Sequence, residues 1–169
     1  ASNISERREA EQLQTAVYSI SQAADGSETL GDLYRRVHEI ISNVMPAKNF
    51  YIALRDEGQQ IISFPYFLDE IDVEAPPQQV GKGLTEYVLR TGESLLCDET
   101  VLSDLIARGE AESIGAPSAI WLGVPLTVEK QTIGAMVVQH YTNPRAYGER
   151  ERQMLEFVSS QVANAINKK

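Results

Sequence analysis

Two apolar runs in the C-terminal half most constrain the fold of this chain. They are residues 121–126 (WLGVPL) and 133–141 (IGAMVVQHY), and the more polar residues 127–132 separate them. Apolar, β-prone runs joined by a short charged connection predict a β-hairpin. Because both runs are apolar almost throughout, we expect both faces of the sheet around this hairpin to be covered. Few folds of a small domain meet that condition.

Composition and charge exclude several classes of protein. With 169 residues, 43% of them hydrophobic, the chain fits one domain that buries a core without disulfides or metal. The formal net charge of −9 argues against a nucleic-acid-binding protein and against adsorption to anionic membranes. The single cysteine, Cys97, excludes a disulfide framework and suits a reducing compartment. We therefore expect a cytoplasmic protein with no direct membrane contact.

Three stretches have helical periodicity. Residues 5–24 carry a narrow apolar stripe, and Ser5 is a suitable N-cap for them. Residues 28–44 carry an apolar face that is wide enough to pack on a sheet, and Pro46 ends this segment. Residues 149–167 carry a third apolar stripe. These patterns predict two successive N-terminal helices and one C-terminal helix.

A second hairpin is predicted in the first half of the chain. Residues 50–55 and 61–66 are β-prone and flank a turn-forming segment. Pro65 lies inside the second of these strands and indicates an edge position or a bulge, since proline cannot donate to the ladder. Two hairpins with short turns imply an antiparallel sheet.

Short elements lie between the two hairpins. Residues 84–90 and 101–113 are predicted helices, and residues 94–97 a short strand. This order predicts an α+β fold with an antiparallel sheet of five to six strands. The first, second and C-terminal helices would cover one face of the sheet, and the middle segment, residues 68–117, would cover the other.

Several segments, in this order, resemble a GAF domain. The matching segments are residues 49–56 (NFYIALRD), 81–92 (GKGLTEYVLRTG), 120–126 (IWLGVPL), 133–138 (IGAMVV) and 155–166. The resemblance spans residues 30–167. It implies a sensory domain that binds a small molecule between the sheet and the middle helices.

The first residues carry a second resemblance. Residues 3–11 (NISERREAE) look like the linker that often follows a PAS domain, with Asn3 where Asp is usual. This implies a multidomain bacterial sensor that continues on both sides, with a histidine kinase or a cyclic-dinucleotide enzyme as its output module. We accordingly divide the chain into a signalling or linker helix, residues 1–25, and a GAF-like sensory domain, residues 26–169.

The candidate ligand contacts are aromatic and polar residues of the expected pocket. Such pockets are mostly apolar with a few placed polar groups. Trp121 offers area and an indole N–H, while Gln139 offers both a donor and an acceptor. The full set is Phe64, Tyr66, Tyr87, Leu105, Trp121, Gln139 and Tyr141. The same residues would also suit the core of a ligand-free dimerisation and relay module, which is the alternative.

Other chemistries fit the residues less well, so the cofactor stays unknown. The cyclic-nucleotide signature N-K-F-D-E has no match, because its lysine is missing and Asp69 is too far along the chain from Asn49. Bilin attachment is disfavoured since Cys97 has no histidine beside it, and one thiol cannot serve both steps of a reductase. His140 would ligate haem only if it faced the cavity, and we expect His38 to be exposed. We expect no catalysis by this domain.

The terminal helices predict self-association. Narrow apolar stripes bordered by Glu, Arg and Gln are typical of coiled-coil seams, although each end has fewer than three heptads. Simple docking of the helices onto the sheet is the alternative. We expect a parallel homodimer through the terminal helices and a signal that passes along the C-terminal helix as a population shift.

Overall fold

A computed structural model of the chain describes residues 2–25, 29–56, 58, 61–71, 78–79, 81, 83–112 and 118–168. In chain order the elements are α1 (Ser2–Asp25), α2 (Leu30–Ser42), β1 (Asn49–Asp56), β2 (Ile61–Leu68), β3 (Gln78–Gln79), α3 (Leu84–Thr91), β4 (Leu95–Asp98), α4 (Glu99–Ala107), β5 (Ile120–Val128), β6 (Gln131–His140) and α5 (Glu149–Lys168). Parts of the predicted middle segment, residues 72–77 and 113–117 among them, lie outside the described residues.

The strands form one antiparallel sheet in the order β3–β2–β1–β6–β5–β4, which confirms the α+β prediction. The β5–β6 hairpin extends from the pair Ile120–His140 to the pair Val128–Gln131. Its turn is therefore only Glu129 and Lys130, which is shorter than the predicted connection of residues 127–132. The strands continue into that polar segment because backbone pairing does not require apolar side chains.

The β1–β2 hairpin contains the irregularity that proline predicted. Ile52 pairs with Tyr66 and Leu54 with Ser63, so β2 has one extra residue at Phe64 and Pro65. A bulge of this kind places two residues of one strand opposite one residue of its partner. It therefore reverses the alternation of side chains along β2, and Phe64 and Tyr66 lie on opposite faces of the sheet.

Each face of the sheet has its own apolar core. The helix face, covered by α1, α2 and α5, buries side chains that alternate along β1, β5 and β6, among them Phe50, Ile52, Leu122, Val124, Met136 and Val138. The second face is covered by α3 and α4. It buries the intervening residues of the same three strands, among them Tyr51, Ala53, Trp121, Ala135 and Val137. The predicted coverage of both faces, with the long helices on one of them, is confirmed.

Local hydrogen bonds set the helix boundaries. Helix α1 already begins at Ser2, so the predicted capping role of Ser5, which lies inside the helix, is wrong. Helix α2 begins at Leu30 because Thr29 caps it in a reciprocal box with Asp32. Helix α4 begins at Glu99 because the Asp98 carboxylate accepts the Val101 N–H at 2.9 Å, and it ends before the predicted residue 113. Residues 28 and 113 of the predicted helices lie outside the described residues.

The terminal helices pack against each other. Helix α1 contacts α5 and α2, with Ala16 and Ile20 buried, and Glu9 of α1 forms an ion pair with Arg150 of α5. Helix α1 is thus docked on the domain, while the division at residue 25 stays a prediction. Among the described helices, none is both long and apolar enough to cross a membrane.

Candidate functional site

The floor of the candidate site is the second face of the sheet at β1, β5 and β6. Tyr51 and Trp121 are only 7% and 4% exposed, and Val88 of α3 and Leu105 of α4 close over the same cluster. A buried surface with so much aromatic area is suited to binding an apolar part of a ligand.

Trp121 is held by the glycine two residues further along β5. A Cβ placed on Gly123 would lie 2.4 Å from the indole ring, so the ring occupies the space above the Gly123 backbone. Only glycine leaves that space open. The strand sequence Trp-Leu-Gly therefore fixes the position of the tryptophan.

A first set of buried polar side chains connects β1 to α3. The Tyr51 hydroxyl lies 2.6 Å from the Thr85 hydroxyl, and Glu86 is only 4% exposed, with its carboxylate accepting the Gly81 N–H at 3.1 Å. Burial raises the pKa of Tyr51 to about 12, against the lowering effect of its hydrogen bonds to Thr85 and Trp121. The phenol is therefore protonated at neutral pH and supplies a donor to this buried region.

A second polar group, which we call the Asp69 cluster, joins the loop after β2 to the end of β6. Gln139 donates to the Asp69 carboxylate at 3.1 Å, and the Tyr141 hydroxyl donates to it at 2.7 Å. Beside it, the Asn49 amide donates to Glu70 at 2.8 Å and accepts the Glu70 N–H at 2.6 Å. Both acids thus hydrogen bond to residues of the sheet, Asp69 from a half-buried position and Glu70 from an exposed one.

Six of the seven predicted contacts belong to this side of the sheet. Phe64, Tyr87, Leu105 and Trp121 lie in its apolar cluster, and Gln139 and Tyr141 lie in the Asp69 cluster.

Tyr66 is the exception, and its predicted position is corrected. Its ring packs against Phe50 on the helix face, and its hydroxyl lies 2.8 Å from Nδ1 of His38. The bulge at Phe64 and Pro65 is the physical reason, because simple alternation would place Phe64 and Tyr66 on one face.

His38 also differs from expectation, and His140 does not face the candidate site. His38 is half-buried, not exposed, since it stacks on Phe50 at 4.8 Å and hydrogen bonds to Tyr66 and the Ala47 carbonyl. His140 pairs with Ile120 across the strands and so shares the helix face, where its Nδ1 accepts the Asn143 N–H at 3.0 Å. Neither ring reaches the second face.

Neither Cys97 nor the acidic side chains of the described residues form a metal-binding site. Cys97 is 3% exposed in the apolar cluster of the second face, and burial raises the pKa of its thiol to about 12. The sulfur is therefore a protonated, apolar group, as a lone buried cysteine usually is. Within the described part of the chain, no three His, Cys, Asp or Glu side chains converge on a point where they could hold a metal ion.

Sequence reasoning missed Asn49, Tyr51, Thr85, Glu86 and Asp69. The position of Tyr51 could have been predicted from the alternation of side chains along β1. Asn49 pairs with Gln139, a predicted ligand contact, and Tyr51 lies two residues further along β1 on the same face. No comparable signal existed for Asp69, which approaches Gln139 across 70 residues of chain.

Solved structures share this fold over nearly its whole length. The GAF domain of a phosphoenolpyruvate-protein phosphotransferase from Acinetobacter matches with a TM-score of 0.71 and 19% identity, covering 95% of this chain and 93% of that one. Free methionine-R-sulfoxide reductase from Neisseria meningitidis, in complex with its substrate, matches with a TM-score of 0.72 and 10% identity. The match covers 92% of this chain and 89% of that one. A methyl-accepting chemotaxis protein, residues 122 to 287, matches with a TM-score of 0.72 and 16% identity. The match covers 90% of this chain and 94% of that one. Identities this low show the fold alone.

A family model assigns the family. The model described as "GAF domain" matches residues 27–167, while no curated protein matches the sequence. The GAF domain itself is a sensory, non-catalytic fold, although some of the structural neighbours are enzymes such as free methionine-R-sulfoxide reductase. The chain therefore belongs to the GAF domain family, a common sensory and regulatory module of signalling proteins.

Proposed function

We propose that this domain senses a small molecule bound on the second face of the sheet, beneath α3 and α4. The observation that carries the proposal is the convergence of buried polar side chains on an otherwise apolar face. Asn49, Thr85, Glu86 and Gln139 are all at least nine-tenths buried and border the aromatic floor. Each of them is hydrogen bonded within the protein, whereas a core that serves stability alone is mostly apolar.

The ligand contacts that we propose are Phe64, Tyr87, Leu105, Trp121, Gln139 and Tyr141, joined by Tyr51, Thr85 and Asp69. The apolar members would hold the body of the ligand. Gln139 and Tyr141 reach the same carboxylate, so a ligand that hydrogen bonds to either would disturb both. The domain would act by binding and not by catalysis, with its one thiol buried and protonated.

A direct contact supports a relay from this face to α5. Ser94, in the link between α3 and β4, donates to the Glu156 carboxylate of α5 at 2.7 Å. Helix α3 carries Thr85 and Glu86, so a ligand that favours one position of α3 would also favour one position of α5. The ligand shifts this equilibrium only by its difference in affinity for the two states.

We further propose a parallel homodimer through the terminal helices. Three large apolar side chains of these helices remain exposed after α1 has docked: Ile4 at 62%, Tyr18 at 65% and Phe157 at 49%. Light scattering at several concentrations tests this. We expect a dimer that Ile4→Ser together with Phe157→Ser converts to a monomer, and a native protein that is monomeric at every concentration would contradict it.

The proposed setting is a cytoplasmic, multidomain bacterial sensor. The PAS-type linker pattern of residues 3–11 supports an upstream domain. The relay through α5 supports a downstream output module, for which a histidine kinase or a cyclic-dinucleotide enzyme is the proposal.

A ligand-free dimerisation and relay module is the second candidate. Packing of aromatic rings on the second face favours it, since Tyr51, Phe64 and Phe67 contact one another with centroid distances of 5.5 to 6.1 Å. These rings fill part of the space that a ligand would need.

Two matched variants on β6 separate the candidates. Gln139→Leu removes a buried hydrogen-bonding group of the site, whereas Gln131→Leu makes the same change at an exposed position of that strand. Native mass spectrometry of freshly purified protein reports any bound small molecule. Thermal shift with a panel of amino acids, nucleosides and short carboxylic acids then reports binding.

We expect at least one compound to raise the melting temperature of the native protein and of Gln131→Leu but not of Gln139→Leu. The relay module would be favoured if Gln139→Leu simply raised stability and no compound distinguished the three proteins.

A further inference from the structure

A second cleft lies at the opposite end of the sheet from the Asp69 cluster. It has a volume of about 480 Å³ and is bounded by the end of β1, the turn between β5 and β6, and the C-terminal end of α3. Asn49 and Gln139 pair at one end of β1 and β6, whereas Leu54 and Gly134 pair towards this one. The cleft is therefore separate from the Asp69 cluster, although it shares Leu89 with the apolar cluster of the second face.

The charge of this cleft is opposite to that of the chain. Three cations, Arg55, Arg90 and Lys130, line it, and none of the described residues that line it is an acid. The whole chain has 24 acidic and 15 basic residues. We call this group the basic cleft. Of the three threonines in its wall, Thr127 and Thr132 supply hydroxyl donors, whereas the Thr91 hydroxyl donates to the Tyr87 carbonyl at 2.9 Å.

The two arginines are held in place. Arg55 donates to the Thr132 carbonyl at 2.8 Å, which positions its guanidinium across β6 and leaves its other N–H groups for a ligand. Arg90 donates to the Glu110 carbonyl at 2.9 Å and lies 5.4 Å from the Tyr87 ring centroid. Its salt bridge to Glu110, at 3.2 Å, joins side chains that are both nearly half exposed. Arg90 also offsets the negative end of the α3 dipole beside the cleft.

Lys130 occupies a position that favours a different residue. Glu129 and Lys130 form the two-residue turn with φ values of 49° and 68°. Asn and Gly adopt this left-handed backbone with less strain and are preferred in such turns. Residues held in sparsely populated backbone regions cluster at functional sites. Among the described residues, Lys130 has no ion-pair partner, so its ammonium group is available to the cleft.

We propose that the basic cleft binds an oxyanion of the phosphate class, either inorganic phosphate or the phosphate group of a nucleotide. Guanidinium groups match the geometry of phosphate oxygens, and a lysine ammonium adds a point charge. The volume suits a small ligand. The site would let the domain respond to an anion bound at the end of α3 that lies away from Thr85 and Glu86.

The test is a titration followed by amide NMR at constant ionic strength. The probes are inorganic phosphate and adenosine 5′-monophosphate, each against the native protein, Arg55→Gln, Lys130→Gly and the control Arg108→Gln. Arg108 is also an exposed arginine, lies outside the cleft and is paired with Asp104. Lys130→Gly relieves the strained backbone and is expected to raise the melting temperature, so a loss of binding in it cannot come from unfolding.

We expect saturable shifts in residues 127–132 and around Gly92, with an affinity that falls at least tenfold in Arg55→Gln and Lys130→Gly and is unchanged in Arg108→Gln. Equal affinities for the two probes would indicate recognition of the phosphate group alone, and tighter binding of the monophosphate would indicate a nucleotide. Shifts that do not saturate, or that are equal in all four proteins, would overturn the proposal.

Discussion

The two faces of the sheet are buried to a similar depth but are built from different residues. On the helix face, the buried side chains of β1, β5 and β6 are apolar throughout. Of the five buried polar or charged residues in the described part of the chain, four lie along the second face: Asn49, Thr85, Glu86 and Gln139. The fifth, Ser159, bonds within its own helix. The helix face of these strands is therefore a purely apolar core, whereas the second face combines an apolar core with polar side chains that are hydrogen bonded to their neighbours.

Truncation on the helix face gives the largest expected effect. Leu155 of α5 is fully buried, so Leu155→Ala should lower the free energy of unfolding by about 2–5 kcal/mol through lost burial and a cavity. Urea denaturation measures it. Phe157→Ala on the same helix, at a side chain that is 49% exposed, is the control and should cost much less. Similar losses in the two variants would contradict the assignment of the helix face as the stabilising core.

Gly123→Ala tests the second face. The new methyl group would meet the Trp121 ring, so we expect a loss of about 1–3 kcal/mol and a displaced indole. Because Trp121 is the chain's one tryptophan, its fluorescence reports the displacement directly. Gly58→Ala is the comparison. A Cβ there meets no other atom within 4 Å, so any cost comes from its backbone φ of 86° and not from a steric contact. An unchanged emission spectrum in Gly123→Ala would show that the ring is not fixed by this glycine.

Alkaline pH should lower the free energy of unfolding because of Tyr51 on the second face. Its folded pKa is raised from 10.0 to about 12 by burial, so the folded state binds more protons than the unfolded state between these values. The stabilisation is present below pH 10 and is lost as pH rises, by about 1.4 kcal/mol at pH 11. Tyr51→Phe should remove this part of the slope in unfolding measurements from pH 9 to 11, whereas Tyr18→Phe, at an exposed position, should leave it. An identical slope in the native protein and Tyr51→Phe would be evidence against the effect.

The link between the two faces gives the smallest expected effect. Ser94→Ala removes the hydrogen bond to Glu156 and should cost less than about 1 kcal/mol, because the contact is solvent-exposed. A double-mutant cycle with Glu156→Gln measures the coupling. Hydrogen exchange of α5 should rise in Ser94→Ala, and a coupling energy of zero would remove this contact from the relay.

Much of the fold was predictable because it depends on short-range patterns. The β5–β6 hairpin, the wide apolar face of the second helix and the bulge at Pro65 each follow from residues within one element. The candidate site was predicted less well. Its apolar members, such as Trp121 and Leu105, are recognisable by residue type, but Thr85 reaches Tyr51 across 34 residues of chain.

Local backbone geometry explains what could be known from the sequence: the periods of helix and strand, the positions of turns and the coverage of both sheet faces. Long-range packing decided the rest. It reversed the face of Tyr66 through a single extra residue, placed His38 against Phe50, and brought Asp69 to Gln139 and Tyr141. Such contacts are set by how the whole sheet and its helices pack together, and the pattern of any one segment carries no record of them.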